Sequence, residues 1–247
     1  MRPRFTKFFS TDSAKAIKAD QYGYLNAINY MAPHTTGGIG NLCPHSSQGC
    51  RDLCLGMYSG QAAMVSDLEH GTNKVRESRK AKSQFFMTDR VAFMNEMARH
   101  IRAMIRKAER ENKKLAIRPN GSTDIPFERV RYGHHGQTLP ERFPETQFID
   151  YTKNARRILD KRKPDNYHLT FSLSETNTAD AVKVLAAGHN VAVVFGHGQP
   201  ETFMGYKVID GTEHDLRHLD PSPVIVGLDP KGSKAKKDTS GFVVRDY

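Results

Sequence analysis

The chain of 247 residues is poor in cysteine: it has three, at positions 43, 50 and 54. An odd count leaves no full set of disulfide pairs and fits a reducing compartment. Long apolar runs are also missing. Residues 191–195 and 224–228 are apolar, but each is far shorter than the roughly 20 residues that cross a bilayer. No apolar core follows the basic start Met1-Arg-Pro-Arg-Phe5, so no secretory signal is read, and a cytoplasmic location without membrane attachment is expected. No internal repeat and no linker divides the sequence, which predicts one domain over residues 1–247.

Acidic residues are the other shortage. The chain has 27 Asp and Glu against 37 Lys and Arg, for a formal net charge of +10. Residues 74–114 alone hold thirteen basic and five acidic side chains, so the imbalance is concentrated. A concentrated basic stretch points to a polyanion, with nucleic acid the usual one. Within it, Met87, Val91, Met94, Met97, Ile101, Met104 and Ile105 recur at spacings of three and four. That spacing predicts an amphipathic helix over residues 85–110, with Arg102 and Arg106 among its cationic positions.

What the chain does have is a cluster. All three cysteines lie in Cys43-x6-Cys50-x3-Cys54, separated by Pro, Ser, Gly and polar residues. Core cysteines would scatter; three close together read as one metal or iron–sulfur site within a segment of about residues 34–70. Two chemistries fit the donors. One is a structural zinc completed by a histidine, with His45 and His70 nearest and His34 behind them. The other is a [4Fe–4S] cluster on Cys43, Cys50 and Cys54, with its fourth iron open to S-adenosylmethionine. The Gly37-Gly-Ile-Gly40 loop before the cysteines matches neither a Walker nor a Rossmann pattern.

Short apolar strands are predicted at residues 23–31, 115–119, 147–151, 168–173, 191–195, 206–209 and 224–228. A helix over residues 178–187, closed by Gly188, separates two of them. The alternation predicts an α/β fold with a mostly parallel, TIM-barrel-like sheet. The late connections are too short for full helices, so the expectation extends to a degenerate or incomplete barrel.

Polar residues follow several strands: Asn120-Gly-Ser-Thr-Asp124, Asp150-Tyr-Thr-Lys-Asn154, Ser172-Leu-Ser-Glu175 and Asp210-Gly-Thr-Glu-His-Asp215. In parallel α/β folds these ends form the active-site mouth. Asp124, Asp150 and Glu175 are therefore candidate catalytic carboxylates. A carboxylate pair across a mouth suits cleavage of a glycosidic bond, one attacking and one moving the proton. Asn120, Ser122, Lys153 and Ser172 are candidate substrate contacts, and Phe148, Tyr151 or Phe171 could stack on a base taken out of a nucleic-acid stack.

The order Cys43-Pro44, Gly49-Cys50, Cys54-Leu55, then Ser122-Thr-Asp124, then Phe148-Ile-Asp-Tyr-Thr-Lys153 resembles phage proteins that carry an N-terminal three-cysteine motif and a barrel-like α/β domain. Thr152-Lys-Asn-Ala-Arg156 after Asp150 also resembles the Thr-Arg-Asn-Ala-Arg segment of DpdA-type DNA 7-deazaguanine transglycosylases, relatives of queuine tRNA-guanine transglycosylases. That resemblance implies a barrel, a zinc on three Cys and one His, nucleophilic Asp150, proton-handling Asp124, a small deazaguanine base as co-substrate, and DNA in preference to tRNA, acting in the host cytoplasm. The chain departs from that family: its cysteines precede the strands and are spaced more widely. A radical S-adenosylmethionine-like enzyme, whose usual spacing is Cys-x3-Cys-x2-Cys, and a non-catalytic nucleic-acid-binding protein with structural zinc stand as the other readings.

Overall fold

Parallel pairing organises the chain. A computed structural model describes residues 5–247. Its strands are β1 (Tyr24–Ile28), β2 (Lys114–Arg118), β3 (Gln147–Thr152), β4 (Tyr167–Ser172), β5 (Val191–Val194), β6 (Thr202–Phe203), β7 (Tyr206–Asp210) and β8 (Ile225–Leu228). They form one sheet in the order β1-β2-β3-β4-β5-β8-β7-β6. Every pairing is parallel except the β6–β7 hairpin. Strands β1 to β5 and β8 are largely buried, as in a parallel sheet covered on both faces, whereas β6 and β7 are partly exposed.

The mostly parallel α/β sheet agrees with the sequence expectation; a closed TIM barrel does not appear. The first five strands follow in barrel order, but β8 then inserts beside β5 and the chain folds back through β7 to β6. The sheet is open, with β1 and β6 at its edges. The physical reason lies in the connections: residues 195–201 and 211–224 hold no α-helix to carry a barrel crossover.

The helices are α1 (Ala14–Lys18), α2 (Gln48–Asp52), α3 (Leu55–Tyr58), α4 (Lys74–Thr88), α5 (Arg90–Arg110), α6 (Leu139–Arg142), α7 (Ala155–Ile158), α8 (Thr178–Ala186) and α9 (Ser233–Lys236). The single helix expected over residues 85–110 is instead the end of α4 and all of α5. Asp89 breaks it: its backbone leaves the helical region and its carboxylate accepts the Ala92 N–H, which caps α5. Phe93, Met94, Met97 and Ile101 of α5 are fully buried against β1 and β2, whereas Val91 faces solvent. Helix α8 ends as expected, with Gly188 in the left-handed region at φ 86°.

Strand alternation sorts the sheet's side chains. Leu115, Ile117, Phe148, Leu169, Phe171, Val191 and Val193 enter the main core with α4, α5 and α8. Ala116 and Ile149 belong to a separate small cluster with Ala19 and Leu216. Among the described residues, no helix is long and apolar enough to cross a membrane.

Candidate functional site

The cysteine segment is the excursion between β1 and α4, and it sits over the C-terminal ends of the parallel strands. Cys43 is placed first: its sulfur accepts the His34 N–H at 3.2 Å and lies 3.7 Å from the Ser122 carbonyl, in the loop after β2. Cys50 is in α2, whose first turn is capped by Ser47 Oγ accepting the Cys50 N–H at 3.2 Å. Cys54 precedes α3. Gly49 is required where it stands, because a Cβ would lie 2.5 Å from Ser240 Oγ and 2.9 Å from Phe242 Cβ.

All three cysteines line one cavity of about 780 Å³, together with Ser122, Asp124, Tyr151, Lys153, Ser172 and Arg118. That volume lies within the usual range of ligand pockets. Burial pushes the Cys43 thiol up to about 12 and the Cys54 thiol to about 11, and it raises Cys50 as well. Without a bound metal the thiols are protonated near neutral pH. Iodoacetamide should therefore alkylate them at pH 8 much more slowly than it alkylates free cysteine, with the rate climbing as pH passes 10. Fast labelling at pH 8 would contradict this environment.

The candidate carboxylates separate. Asp124 lines the cavity; its Oδ2 accepts the Lys153 N–H at 3.0 Å and its Oδ1 pairs with Arg157. Glu175 serves the cysteine loop: its two oxygens accept the Ser47 hydroxyl at 2.8 Å and the Gly49 N–H at 2.7 Å. Asp150 lies beneath the cavity and does not line it. It is 2 % exposed, accepts Asn120 N–H at 2.9 Å and Asn120 Nδ2 at 2.7 Å, and is also bonded by the Tyr167 hydroxyl. Burial raises its pKa to about 6, against the pull of these donors and of Arg157. Asp150 thus acts as a brace: it fixes Asn120, whose amide in turn holds Thr123 and Ile125 and shapes the turn that carries Asp124.

The other expected contacts divide the same way. Ser122, Tyr151, Lys153 and Ser172 line the cavity, and Lys153 Nζ donates to Ser172 Oγ at 2.7 Å. Asn120 is buried in the turn. Phe148 and Phe171 are fully buried in the helix-facing core and present no ring to a ligand. Arg102 and Arg106 are exposed on α5 and do not line the cavity; Arg102 covers the Phe143 ring at 5.8 Å.

Neither expected histidine completes a four-ligand set. His70 is exposed, bonded to Asp67 at 3.2 Å, and outside the cavity lining. His45 is exposed and 3.0 Å from Asn154 Nδ2. His34 lines the cavity, but its ring lies 3.2 Å from Thr35 Oγ1. Among the described residues, no three Cys, His, Asp or Glu side chains converge as ligands of a single ion.

Apart from Lys153, sequence reasoning passed over the cations of this cavity. Arg118 ends β2, lies 4.7 Å over the Tyr151 ring and pairs with Asp215 at 2.9 Å; Lys15 reaches the same carboxylate at 3.2 Å. Burial pushes the Asp215 carboxyl up, but the two cations outweigh it and hold it well below the usual range. The signal was an arginine directly after the buried apolar run Leu115-Ala-Ile117 of β2.

The chain belongs to the Gene product 88 family of phage proteins, whose family model matches residues 6–246. No curated protein and no solved structure matches it.

Proposed function

We propose that this protein is an iron–sulfur enzyme of the radical S-adenosylmethionine type, with Cys43, Cys50 and Cys54 holding a [4Fe–4S] cluster. One observation carries the reading: three cysteines from the excursion after β1 face a single cavity at the C-terminal mouth of a parallel sheet, while His45 and His70, the histidines nearest them in the sequence, are exposed and bonded to Asn154 and Asp67. Three thiolates are a complete protein contribution to a cluster whose fourth iron takes an exogenous ligand; they are an incomplete one for structural zinc. The donor set fits in chemistry as well, since soft thiolates select iron–sulfur clusters and zinc.

Such a cluster, when bound, supplies one-electron chemistry. The chain's own residues do the rest. Ser47, Gly49 and Glu175 hold the Cys50 turn, Ser122 positions Cys43, and Asp124 and Lys153 present charge to the cavity beside the thiols. Aspartate-based base exchange draws less support, because Asp150 is enclosed by Asn120 and Tyr167 and has no face on the cavity.

The test is anaerobic reconstitution of the full chain with iron and sulfide. A brown protein with stoichiometric iron and sulfide, which cleaves S-adenosylmethionine after reduction, is expected. A colourless protein that retains one tightly bound zinc and takes up no iron would overturn the proposal.

A further inference from the structure

The same cavity carries more positive charge than its carboxylates neutralise. Nine Lys or Arg side chains line it against four Asp. Those four are already engaged. Asp12 pairs with Lys7, Asp215 with Arg118 and Lys15, Asp124 with Arg157, and Asp229 accepts from Gln199 at 3.3 Å. Among the described residues, the other six cations, Arg51, Lys74, Arg79, Lys82, Lys153 and Lys231, have no carboxylate ion-pair partner.

Three of these six, Lys74, Arg79 and Lys82, stand on α4, and the last two share one wall. Ser78, Arg79 and Lys82 of α4 line the cavity from one face of the helix. Arg79 is bonded to the Gly56 carbonyl at 2.5 Å, next to the cysteine segment, and covers the Tyr30 ring at 4.8 Å; its buried Nε has no hydrogen-bond partner. Lys82 Nζ, 5 % exposed as a residue, donates to the Phe8 carbonyl at 2.5 Å and to Asn29 Oδ1 at 3.3 Å. Burial, with Arg79 beside it, draws the Lys82 pKa down to about 7. Two half-sequestered cations one helical turn apart repel each other and lose hydration, a cost that an anion between them removes.

The wall is also rigid. Asn73 caps α4, and Arg76 donates to the carbonyls of Met57, Ala62, Leu68 and Gly71 at 2.7–3.0 Å. Arg76 thereby ties α4 to the cysteine segment and fixes where Arg79 and Lys82 stand. Lys231, exposed in the loop after β8, lines the cavity too.

We propose that this cavity takes a phosphate-bearing substrate, held by Arg79 and Lys82 of α4 and by Lys231. Guanidinium binds phosphate through paired N–H donors, and lysine adds a point charge. The inference rests on reading the cavity as the reaction site. A mononucleotide and a nucleic-acid strand carry the same chemistry, so both are probed.

The experiment measures binding of pyrophosphate, adenosine monophosphate, a single-stranded oligodeoxynucleotide and uncharged adenosine to the full chain at physiological salt. At least one phosphate probe is expected to bind at least about tenfold more tightly than adenosine. Arg79→Gln and Lys231→Gln should each weaken it about tenfold, as loss of one charge-assisted contact does, and Arg106→Gln on the outer face should leave it unchanged. Binding by the oligonucleotide alone, with the same variant pattern, assigns the phosphate to a strand. Failure of all three phosphate probes, wild-type affinity in both cavity variants, or loss confined to Arg106→Gln overturns the proposal. Iron content separates the two readings. If Arg79→Gln loses iron but not phosphate affinity, Arg79 is a counter-charge for the thiolates and the phosphate proposal falls. If phosphate binds through Arg79 and Lys231 but the protein takes no iron, the phosphate site stands and the iron–sulfur reading falls.

Discussion

Single replacement of Cys43, Cys50 or Cys54 by Ala is expected to bring iron and sulfide to background after anaerobic reconstitution, while the fold survives. The three thiols are the whole protein contribution to the proposed cluster, so no spare ligand compensates for one lost. Survival follows from position. None of the three enters the main core, which α4, α5, α8 and the helix-facing sheet residues fill, and the turn around them has its own bonds through Ser47, Glu175 and Ser122. Far-ultraviolet dichroism and a melting point within a few degrees of the parent should confirm this. His45→Ala and His70→Ala should keep full iron, since both rings are exposed and engaged elsewhere. Loading should also depend on pH with a definite sign. Burial raises all three thiol pKa values, so ligation must expel protons. Affinity should rise as pH goes up through the neutral range and weaken as it falls toward 6. A cysteine variant that retains full iron removes that thiol from the ligand set; loss of metal in His70→Ala would point to zinc.

The cysteine segment was legible in the sequence because its signal is local: three soft ligands within one short stretch, with nothing else in the chain to pair with. The parallel sheet was legible for a similar reason, since each buried strand is a short apolar run. Which side each strand residue faces was not used, and there the expectations mixed two faces. Phe148 and Asp150 of β3 have the same parity, and Phe148 lies in the helix-facing core. Alternation alone places Asp150 on that side, away from the cavity that Tyr151 and Lys153 line. Phe171 and Ser172 divide in the same way on β4. The basic stretch divides for a related reason. Charge summed along the sequence is not charge on a surface: Asp89 splits the stretch into two helices, α5 turns Arg102 and Arg106 outward, and α4 turns Arg79 and Lys82 into the cavity. Sheet closure depends on how long connections return, which local patterns do not encode.

The second large effect concerns the ion network that holds Asp124 at the cavity wall. Arg157 and Glu128 are both about 2 % exposed at their side chains. They form a two-pronged pair, with Nε to Oε1 at 2.9 Å and Nη2 to Oε2 at 2.8 Å, and the remaining arm of Arg157 reaches Asp124. Burial lowers the Arg157 pKa, but Glu128 and Asp124 outweigh it and hold the guanidinium firmly charged. Glu128→Ala would leave that charge buried with only Asp124 to balance it, at a cost of about 3–5 kcal/mol. Against a total stability of about 5–15 kcal/mol, that corresponds to a fall in melting temperature of roughly 10 °C. Glu128→Gln retains the shape and one acceptor and should cost less. Lys183→Ala is the control: Lys183 pairs with Asp180 at 3.4 Å on the exposed side of α8, so its loss should cost less than about 1 kcal/mol. The Glu128→Ala deficit should persist in high salt, because a pair shielded from water is screened weakly. Melting of Glu128→Ala within two or three degrees of the parent would mean that Asp124 alone balances Arg157, and that the cavity wall does not depend on the pair behind it.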